Sequence, residues 1–497
     1  MGDTEGFLAR SAEASSRQRR GRMIGWLLLL AMLYLAFLGR GVATRGLAME
    51  SVRIRYLWVQ LLPDEIPIAN ARLVRAIVTE GDRCPRITRN REPLDMEPRL
   101  PTVRAAFPIL LCEIKLDGSS TAYLGSILLP TRSDNPTHVI GIGDTGCRMV
   151  HWQIQSCLSG VEWPFAAVAS SAAKTIDQYK SQTIIVHVGD YHYRENPCAD
   201  VSPECGGSPF GDNWATWEEE FFKPAAPLLL AAPWVMVRGN HENCNRAGAG
   251  WLFFFALPGQ RKTQNACESD LTSYSLNIGQ TADGRARRLV VLDTAYDDNT
   301  YDIEKRCRTY AEWLDELRPS GAEIWLTLHQ PLWMRNSDGS ANTDKASEAC
   351  KNGTTKSALN VMRARFDSAA PTRLARLVLS GDVHLFQFFQ PSDEFMPVQA
   401  VVGNGGTKLD DLKSLAAGVG ARTRQSDLSS EVDSFGVKGA ALSIARHGFT
   451  TFSLVGSTWT MSPFDASGKI MASCRFSEAP TSSPSAARPD CSTRPEG

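Results

Sequence analysis

Residues 137 to 384 contain short apolar runs that each stop at a polar residue. Apolar runs of about four to eight residues, bounded by residues that favour turns, are typical of strands buried on both faces of a sheet. We therefore predict five buried strands in this region. Their sequences are THVIGIG, TIIVHVG, PWVMVRG, EIWLTL and ARLVLSG.

Helical patterns alternate with these strands. Two segments carry apolar residues at spacings of three and four, the period of a helix with one buried face. The apolar positions are Phe165, Val168, Ala172, Ile176 and Tyr179 in the first segment, and Ile303, Cys307, Tyr310, Leu314 and Leu317 in the second. Strands that alternate with helices indicate a layered α/β domain, which we assign to residues 137–476.

The flanking regions follow different patterns. Residues 50–136 contain strand-like runs between proline, glycine and aspartate, without a helical period, which predicts a small antiparallel β domain. After His384, the runs FMPVQAVVG, AALSIAR, FTTFSLVG and STWTMSPF predict strands that complete a second sheet. Residues 477–497 are rich in Ser, Pro and Ala, which predicts a disordered tail.

The N-terminus carries a membrane or export signal. Four arginines between residues 17 and 22 precede the apolar run Met23–Leu38. This run is short for a membrane span of about 20 residues and long for a signal core of about 7–15. Cleavage after a small-residue tripeptide and retention as an anchor both stay open, and a buried core helix is the less favoured alternative. We assign residues 1–49 to a cytoplasmic basic segment with a signal or anchor helix, and expect the rest to be exported, periplasmic or extracellular.

The cysteines agree with export. All 12 lie after Ala48, and an oxidising compartment would allow them to pair. Candidate short-loop bridges are Cys147/Cys157, Cys198/Cys205 and Cys244/Cys267. A cysteine metal site is the alternative, but the chain contains no CxxC sequence. The formal net charge of −1 gives no electrostatic reason to expect nucleic acid as a partner.

All five predicted strands stop at residues that can bind metal. In open α/β sheets, ligands gather beyond the carboxyl ends of the strands, so these side chains are expected to meet. Two metals about 3.5–4 Å apart activate water and compensate the charge that builds up on a phosphoryl group. The residues are Asp144, Asp190, Asn240 with His241, His329, and Asp382 with His384.

The motifs at the strand ends resemble those of calcineurin-like metallophosphoesterases, and more narrowly the purple acid phosphatases. The family pattern is GDxG, GDxxY, GNH[D/E], a single His after a strand, and GHxH. This chain carries GDTG at 143–146, GDYHY at 189–193, GNHE at 239–242, His329, and GDVH at 381–384. The resemblance implies a layered α/β/β/α sandwich and a phosphoester hydrolase whose dinuclear centre generates a hydroxide that attacks phosphorus.

The resemblance also implies two sets of metal ligands that share Asp190. Tyr193 would replace a histidine that the broader family has where this chain has Gly146. Phenolate and carboxylate oxygens make Fe(III) plausible in the first site, with a divalent Fe, Mn, Zn or Mg ion in the second. The first set is Asp144, Asp190, Tyr193 and His384. The second is Asp190, Asn240, His329 and Asp382.

The chain departs from the family pattern at Asp382, where the family usually has a histidine. An aspartate favours harder ions than zinc, such as Mn, Fe(II), Mg or Ca, or it weakens the second site. The alternative function is therefore a non-hydrolytic, metal-binding envelope protein on a phosphoesterase scaffold.

Three further residues have predicted roles at the site. His241 is expected to act as a general acid or to donate to a phosphoryl oxygen. Arg148 and His192 lie near the ligands in the sequence and are expected to contact the phosphate, with a surface or structural role as the alternative. Nothing in the sequence distinguishes a phosphomonoester from other small phosphoester substrates.

Overall fold

A computed structural model of the 497-residue chain gives the fold. The chain divides into two compact units, Met1–Ala48 and Met49–Gly497. The predicted basic segment and the run Met23–Leu38 lie outside the described residues. The structure describes residues 47–49, 52–64, 66, 68, 70–79, 83–99, 105–150, 153–198, 204–260, 267, 271–297, 302–317, 321–333, 358–367, 375–393, 395–410, 428–434, 437–478 and 491–492.

The first sheet is built from strands at both ends of the chain around three central strands. Its strand order is β26-β25-β24-β23-β10-β13-β14-β2-β3-β7-β6. The strands before residue 137 in this order are β2 Val52–Leu61, β3 Arg72–Thr79, β6 Glu97–Pro98 and β7 Ile109–Leu116. The other strands before residue 137 are β1 Leu47–Met49, β4 Arg86–Arg89, β5 Glu92–Asp95, β8 Ala122–Leu124 and β9 Ile127–Leu128. The later strands of this sheet are β10 His138–Ile142, β13 Thr183–His187, β14 Trp234–Met236, β23 Gly448–Val455, β24 Thr458–Asp465, β25 Ser473–Ser477 and β26 Cys491–Ser492.

The second sheet has the strand order β15-β16-β17-β18-β20-β19-β22-β21. Its strands are β15 Tyr274–Gln280, β16 Ala286–Val291, β17 Glu323–Thr327, β18 Leu377–Ser380, β19 Phe386–Pro391, β20 Val398–Val402, β21 Leu428–Ser434 and β22 Val437–Ile444. A two-stranded sheet joins β11 Met149–Val150 to β12 Gln153–Ile154, and a four-stranded sheet has the order β5-β4-β8-β9.

The helices include both of the amphipathic segments that the sequence predicts. The α-helices are α1 Phe165–Ile176, α2 Trp214–Trp217, α3 Lys223–Leu229, α4 Gly248–Phe254, α5 Ile303–Leu317 and α6 Leu359–Asp367. A π-helical turn, Glu218–Phe222, connects α2 to α3, and short 3-10 turns cover Lys180–Gln182 and Asn240–Glu242.

Three apolar cores separate the layers. Between the two sheets, Val186 and Val235 of the first pack in one cluster with Trp325 and Leu379 of the second. On the outer face of the first sheet, α1 and α3 pack in an aromatic-rich core. On the outer face of the second sheet, α5 and α6 pack in another core. The predicted α/β/β/α order of layers is therefore confirmed.

The first sheet runs across the predicted boundary at residue 137. The predicted N-terminal strands exist, and β2, β3 and β7 pair antiparallel. However, β14 pairs in parallel with β2, with Trp234 opposite Gln60. The strands of residues 50–136 therefore extend the sheet that carries the first three motifs.

The predicted disordered tail requires a correction. Ser477 ends β25, and the buried carboxylate of Glu478 accepts a hydrogen bond from Ala282 N at 2.9 Å and pairs with Arg287. Cys491 and Ser492 form β26, and Cys491 is disulfide-bonded to Cys474. The polar composition of the tail gives no indication of these contacts. Because of the contacts, the tail is not disordered at these residues.

Five disulfides join described residues. The predicted bridges Cys147–Cys157, Cys198–Cys205 and Cys244–Cys267 are confirmed, and Cys84–Cys112 and Cys474–Cys491 accompany them. This number of disulfides agrees with folding in an oxidising, extracytoplasmic compartment. Over the described ranges, no helix combines the length and apolar character that a membrane span requires.

Candidate metal centre

Side chains from both sheets converge where their parallel strands end. Strands β10, β13 and β14 run parallel in the first sheet, and β17 and β18 run parallel in the second. Their carboxyl ends lie at one edge of the inter-sheet interface, the place where α/β proteins commonly bind ligands. The predicted metal-binding residues that follow these strands are Asp144, Asp190, Asn240, His329, Asp382 and His384.

Three of these residues have a left-handed backbone. The φ angle is 53° at Asp144, 59° at Asp190 and 66° at Asp382. Aspartate tolerates this conformation better than most residues because its short side chain bonds locally. Such conformations persist only where the surrounding structure enforces them, and they cluster at functional sites. The turn after each of these strands thus favours an aspartate.

The hydroxyl of Tyr193 touches three of the predicted first-site ligands. Its Oη lies 2.7 Å from Asp190 Oδ2, 3.1 Å from Asp144 Oδ1 and 2.9 Å from His384 Nε2. The whole residue is buried. The four side chains therefore present oxygen and nitrogen atoms to one small volume.

The packing at Gly146 leaves no room for a larger side chain next to Tyr193. A Cβ atom at Gly146 would lie 2.6 Å from Glu220 Oε1 and 2.9 Å from Tyr193 Cδ2. Real Cβ atoms essentially never approach other atoms this closely, so a larger residue cannot enter without a shift of its neighbours. Position 146 and Tyr193 thus compete for the same space.

His329 is oriented for ligation through Nε2. Its Nδ1 lies 2.8 Å from the carbonyl oxygen of Val188, so Nδ1–H donates and Nε2 faces the centre. Nε2 is 3.2 Å from Asp190 Oδ2 and 3.6 Å from Asp382 Oδ1. Within the described residues, this buried nitrogen has no hydrogen-bond partner of good geometry. Ligand atoms of Asp144, Asp190 and His329 lie within 4.8 Å of one another, which fits a cation.

Burial and mutual charge shift the pKa values of the cluster. Burial raises the pKa of Asp144 well above its usual value. Burial acts in the same direction on Asp190, but the adjacent His329 and His241 outweigh it and hold the pKa of Asp190 below its usual range. Burial lowers the pKa of His384 to about 4. An ionised carboxylate and a neutral imidazole are the states in which these groups bind metals.

The buried carboxylate of Glu242 shapes the loop after β13. Its Oε2 accepts hydrogen bonds from Asp190 N at 2.9 Å and Gly239 N at 3.0 Å. Its Oε1 accepts from Tyr191 N at 2.8 Å and His192 N at 3.0 Å. Glu242 therefore fixes the backbone of Asp190 rather than facing the centre.

Glu220 supports the same loop from the other side. Its Oε1 accepts hydrogen bonds from Cys147 N at 2.7 Å and Tyr193 N at 2.8 Å, and its Oε2 accepts from Arg194 N at 3.3 Å. Glu220 was not predicted because no sequence motif marks it, although it lies in the π-helical turn Glu218–Phe222.

His241 lies beside Asp190 with its ring against Tyr193. Its backbone N–H donates to Asp190 Oδ1 at 3.0 Å, and the His241 and Tyr193 ring centres are 3.9 Å apart. Nε2 lies 3.9 Å from Asp190 Oδ2, and Nδ1 lies 2.6 Å from Glu195 Oε1. Asn240 directly precedes it at the start of the 3-10 turn.

Arg148 lies over two of the predicted first-site ligands, His384 and Tyr193. Its Nη1 is 3.4 Å from His384 Nδ1, and its guanidinium lies 5.6 Å from the centre of the Tyr193 ring. Asp410 fixes the position of His384. Its carboxylate accepts the His384 backbone N–H at 2.9 Å and lies 3.6 Å from His384 Nδ1. Asp410 carries no motif and was not predicted.

The prediction for His192 requires a correction. Its Nε2 lies 3.1 Å from the carbonyl oxygen of Gly211, and its ring packs 5.7 Å from Trp217. The residue is buried on this outer side, so it does not face the centre.

Comparisons with known proteins agree with this geometry. A family model described as calcineurin-like phosphoesterase matches residues 137–386, the segment that carries every predicted metal ligand. None of the curated proteins matches the chain in sequence.

Two solved structures have a similar fold. The chain is similar to the purple acid phosphatase PPD1 from seeds of yellow lupin (Lupinus luteus), with 12% identity, coverage of 86% of this chain and 75% of the lupin chain, and a TM-score of 0.50. It is similar to PhoD with 12% identity, coverage of 85% of this chain and 90% of PhoD, and a TM-score of 0.50. At this identity the likeness shows the fold.

Proposed function

Because the chain belongs to the calcineurin-like phosphoesterase family, we propose that it hydrolyses small phosphoesters with a two-metal centre between its sheets. The observation that carries this proposal is the convergence of Asp144, Asp190, Tyr193, His329 and His384 on one buried volume. These residues come from the ends of four strands in two sheets.

The residues present fit two cations that share a carboxylate. Asp144, Asp190, Tyr193 and His384 would hold the first ion, and Asp190, Asn240, His329 and Asp382 the second. When bound, such a pair lowers the pKa of water from about 15.7 to about 7 and offsets charge on the phosphoryl oxygens. Tyrosine and carboxylate oxygens favour Fe(III) in the first site, with a divalent Fe, Mn, Zn or Mg ion in the second.

The chain's own residues supply the remaining functions. His241 directs Nε2 toward the centre and would give a proton to the leaving oxygen. Arg148 lies over the first-site ligands, where its guanidinium would pair with a phosphoryl oxygen. The backbone N–H groups of Asp190 and Tyr193 donate hydrogen bonds to Glu242 and Glu220. These bonds would keep the reacting groups in place.

A panel of substrates and metals tests this proposal. We expect purified protein to bind two metal ions, and to hydrolyse an aryl phosphomonoester or an aryl phosphodiester with at least one of Mn, Fe, Zn, Mg or Ca. Chelation should abolish turnover, and the same ion should restore it. One or no bound metal together with no turnover on either ester would instead support the alternative, a non-hydrolytic envelope protein, for which Asp382 in place of the usual histidine is the specific observation.

Tyr193 provides a spectroscopic prediction. If Fe(III) occupies the first site, the protein should show a visible absorption band from tyrosinate coordination, and Tyr193→Phe should lose it. Tyr274 is half-buried against the inter-sheet core and belongs to neither proposed ligand set, so Tyr274→Phe is the control and should retain the band. A band that survives in Tyr193→Phe would show that Tyr193 is not the ligand.

We also propose the compartment in which the protein acts. The disulfides favour an extracytoplasmic location. We propose that the apolar run Met23–Leu38 directs export, either as a cleaved signal or as a membrane anchor. The mass of the exported protein distinguishes these two routes.

A further inference from the structure

The loop of residues 155–163 presents two exposed apolar side chains. Leu158 is 71% exposed and Val161 85%. Neither side chain joins an apolar cluster of the described residues. Single exposed apolar side chains are common on protein surfaces, so the significance of this pair depends on how the loop is built. We call residues 158–161 the apolar tip.

Covalent and hydrogen bonds fix both ends of this loop. Cys157 is disulfide-bonded to Cys147. The side-chain amide of Gln155 donates to the carbonyl oxygen of Glu162 at 2.6 Å and to that of Gly406 at 2.9 Å. Because both ends are fixed, the apolar tip is a preformed surface, and little conformational entropy is lost when it binds a partner.

Four backbone N–H groups of the loop donate hydrogen bonds within the loop itself. Ser159 N donates to Ser156 O at 3.1 Å, and Trp163 N donates to Ser159 O at 2.9 Å. The N–H groups of Val161 and Glu162 both donate to Ser159 Oγ at 3.3 Å. A backbone donor without a partner is strongly disfavoured in lipid. These four donors need no water when the tip leaves the solvent.

The chemistry of the apolar tip favours lipid over a protein partner. Two side chains cover far less than the roughly 800 Å² per partner that a specific protein interface buries. The loop carries one charge, on Glu162, and its Oε2 accepts the Ser156 N–H at 3.3 Å, at the base of the loop. An apolar tip with its charge held at the base fits the boundary between lipid headgroups and acyl chains.

The base of the loop is bonded to the rim of the candidate metal centre. Gln155 N donates to Arg148 O at 2.8 Å, and Arg148 N donates to Gln155 Oε1 at 3.0 Å. Arg148 in turn lies over Tyr193 and His384. A surface that receives the apolar tip is therefore brought to the side of the protein on which the centre lies.

The chain enters the second compact unit close to this loop. Tyr56, in the first half of β2, donates to the π-helical turn that carries Glu220. Glu220 accepts the N–H of Cys147, which closes the loop, at 2.7 Å. Residues 39–51 separate the apolar run 23–38 from β2, and these thirteen residues span at most about 45 Å. A membrane that retains the run as an anchor thus lies within that distance of β2.

We propose that the apolar tip docks on a lipid bilayer, with Leu158 and Val161 inserted at the boundary between headgroups and acyl chains. The docked loop places the rim of the candidate centre at the membrane surface. This inference goes beyond the proposed function and does not depend on hydrolysis, because a non-hydrolytic protein with this loop would dock in the same way.

Photolabelling from within the lipid tests this docking. Phosphatidylcholine vesicles with a diazirine in the acyl chain are combined with the purified chain, in the full-length or signal-cleaved form that the host exports. After illumination, we expect mass spectrometry to find lipid adducts in the peptide that contains the apolar tip. Labelling should persist at high salt, which screens charge attraction but not apolar insertion.

Variants of the apolar tip should change this labelling in opposite directions. The double variant Leu158→Ser/Val161→Ser should lower it by at least about tenfold, because it removes the apolar area that enters the lipid. Val161→Phe adds apolar area and should raise it. Both side chains are exposed, so these changes leave the packing of the loop intact.

Val455 provides the matched control. It is 76% exposed in the turn between β23 and β24. The preceding Leu454 N donates to Thr137 O, at the amino end of β10 and therefore at the end opposite to Asp144. The peptide that contains Val455 should carry no adduct, and Val455→Ser should leave labelling of the apolar tip at the wild-type level.

Three labelling results would overturn the inference. They are no adduct at the apolar tip of the wild-type chain, equal labelling of the tip in the double serine variant, and equal labelling of the turn at Val455. A dimer in solution that the double serine variant dissociates would instead assign the tip to a second copy of the chain. A wild-type chain that labels at the tip but hydrolyses no aryl ester would overturn the proposed function and support the docking.

Discussion

Replacing Asp190 by asparagine is expected to abolish hydrolysis and to remove bound metal. Oδ2 of Asp190 contacts both Tyr193 and His329, and Oδ1 accepts the His241 N–H at 3.0 Å. The change removes the charge that both proposed ions share. The loss should therefore exceed the factor of about 10 to 100 that follows loss of an outer partner. Metal analysis and the rate on an aryl ester measure it.

Asparagine is the appropriate replacement at this position because φ at Asp190 is 59°. Asparagine tolerates the left-handed region, whereas alanine would add backbone strain to the loss of the ligand. The exposed Asp177, at the end of α1, gives the control Asp177→Asn, which should behave as wild type. A variant Asp190→Asn that retains two ions and wild-type turnover would contradict the shared-ligand arrangement.

Replacing His241 by alanine is expected to lower turnover by about 10²- to 10⁴-fold, the usual contribution of a positioned general acid. Metal content should remain intact, because the side chain of His241 belongs to neither proposed ligand set. The loss should be larger on phenyl than on dinitrophenyl esters. Steady-state rates and metal analysis on the same sample separate catalysis from ligation.

His138→Asn is the control for His241→Ala. His138 is a buried histidine at the amino end of β10, at the opposite end of the strand from Asp144, and its ring stacks on Tyr179. This control should retain wild-type turnover if it folds. Wild-type turnover in His241→Ala would remove His241 from the reaction.

Most of the catalytic fold could be predicted because its strands are buried on both faces. Strands such as β10, β13 and β17 are buried at every position and mostly apolar, so their composition identifies them without knowledge of their partners. Their pairing with N-terminal strands could not be predicted, because β2 and β14 meet through a single register pair, Trp234 opposite Gln60. A contact between distant segments leaves no local pattern.

The candidate site was predictable where a residue lies in a motif directly after a strand. Asp144, Asp190 and His329 are such residues, and their ligand atoms come together. Glu220 and Asp410 act through backbone N–H groups of residues far away in sequence, so their function depends on the tertiary structure.

His192 was assigned incorrectly because proximity in sequence does not determine the direction of a side chain. Its ring lies against the carbonyl oxygen of Gly211 and the ring of Trp217.

The order of strands in the first sheet has a consequence for how the protein forms. β10 lies between β13 and β23, and His138 pairs with both Thr183 and Ser453. Central strands that depend on partners hundreds of residues later give a high contact order, and such chains fold slowly. The centre cannot be assembled until synthesis has passed β23. Any metal is therefore expected to bind after synthesis, once strands from both ends of the chain have paired in the first sheet.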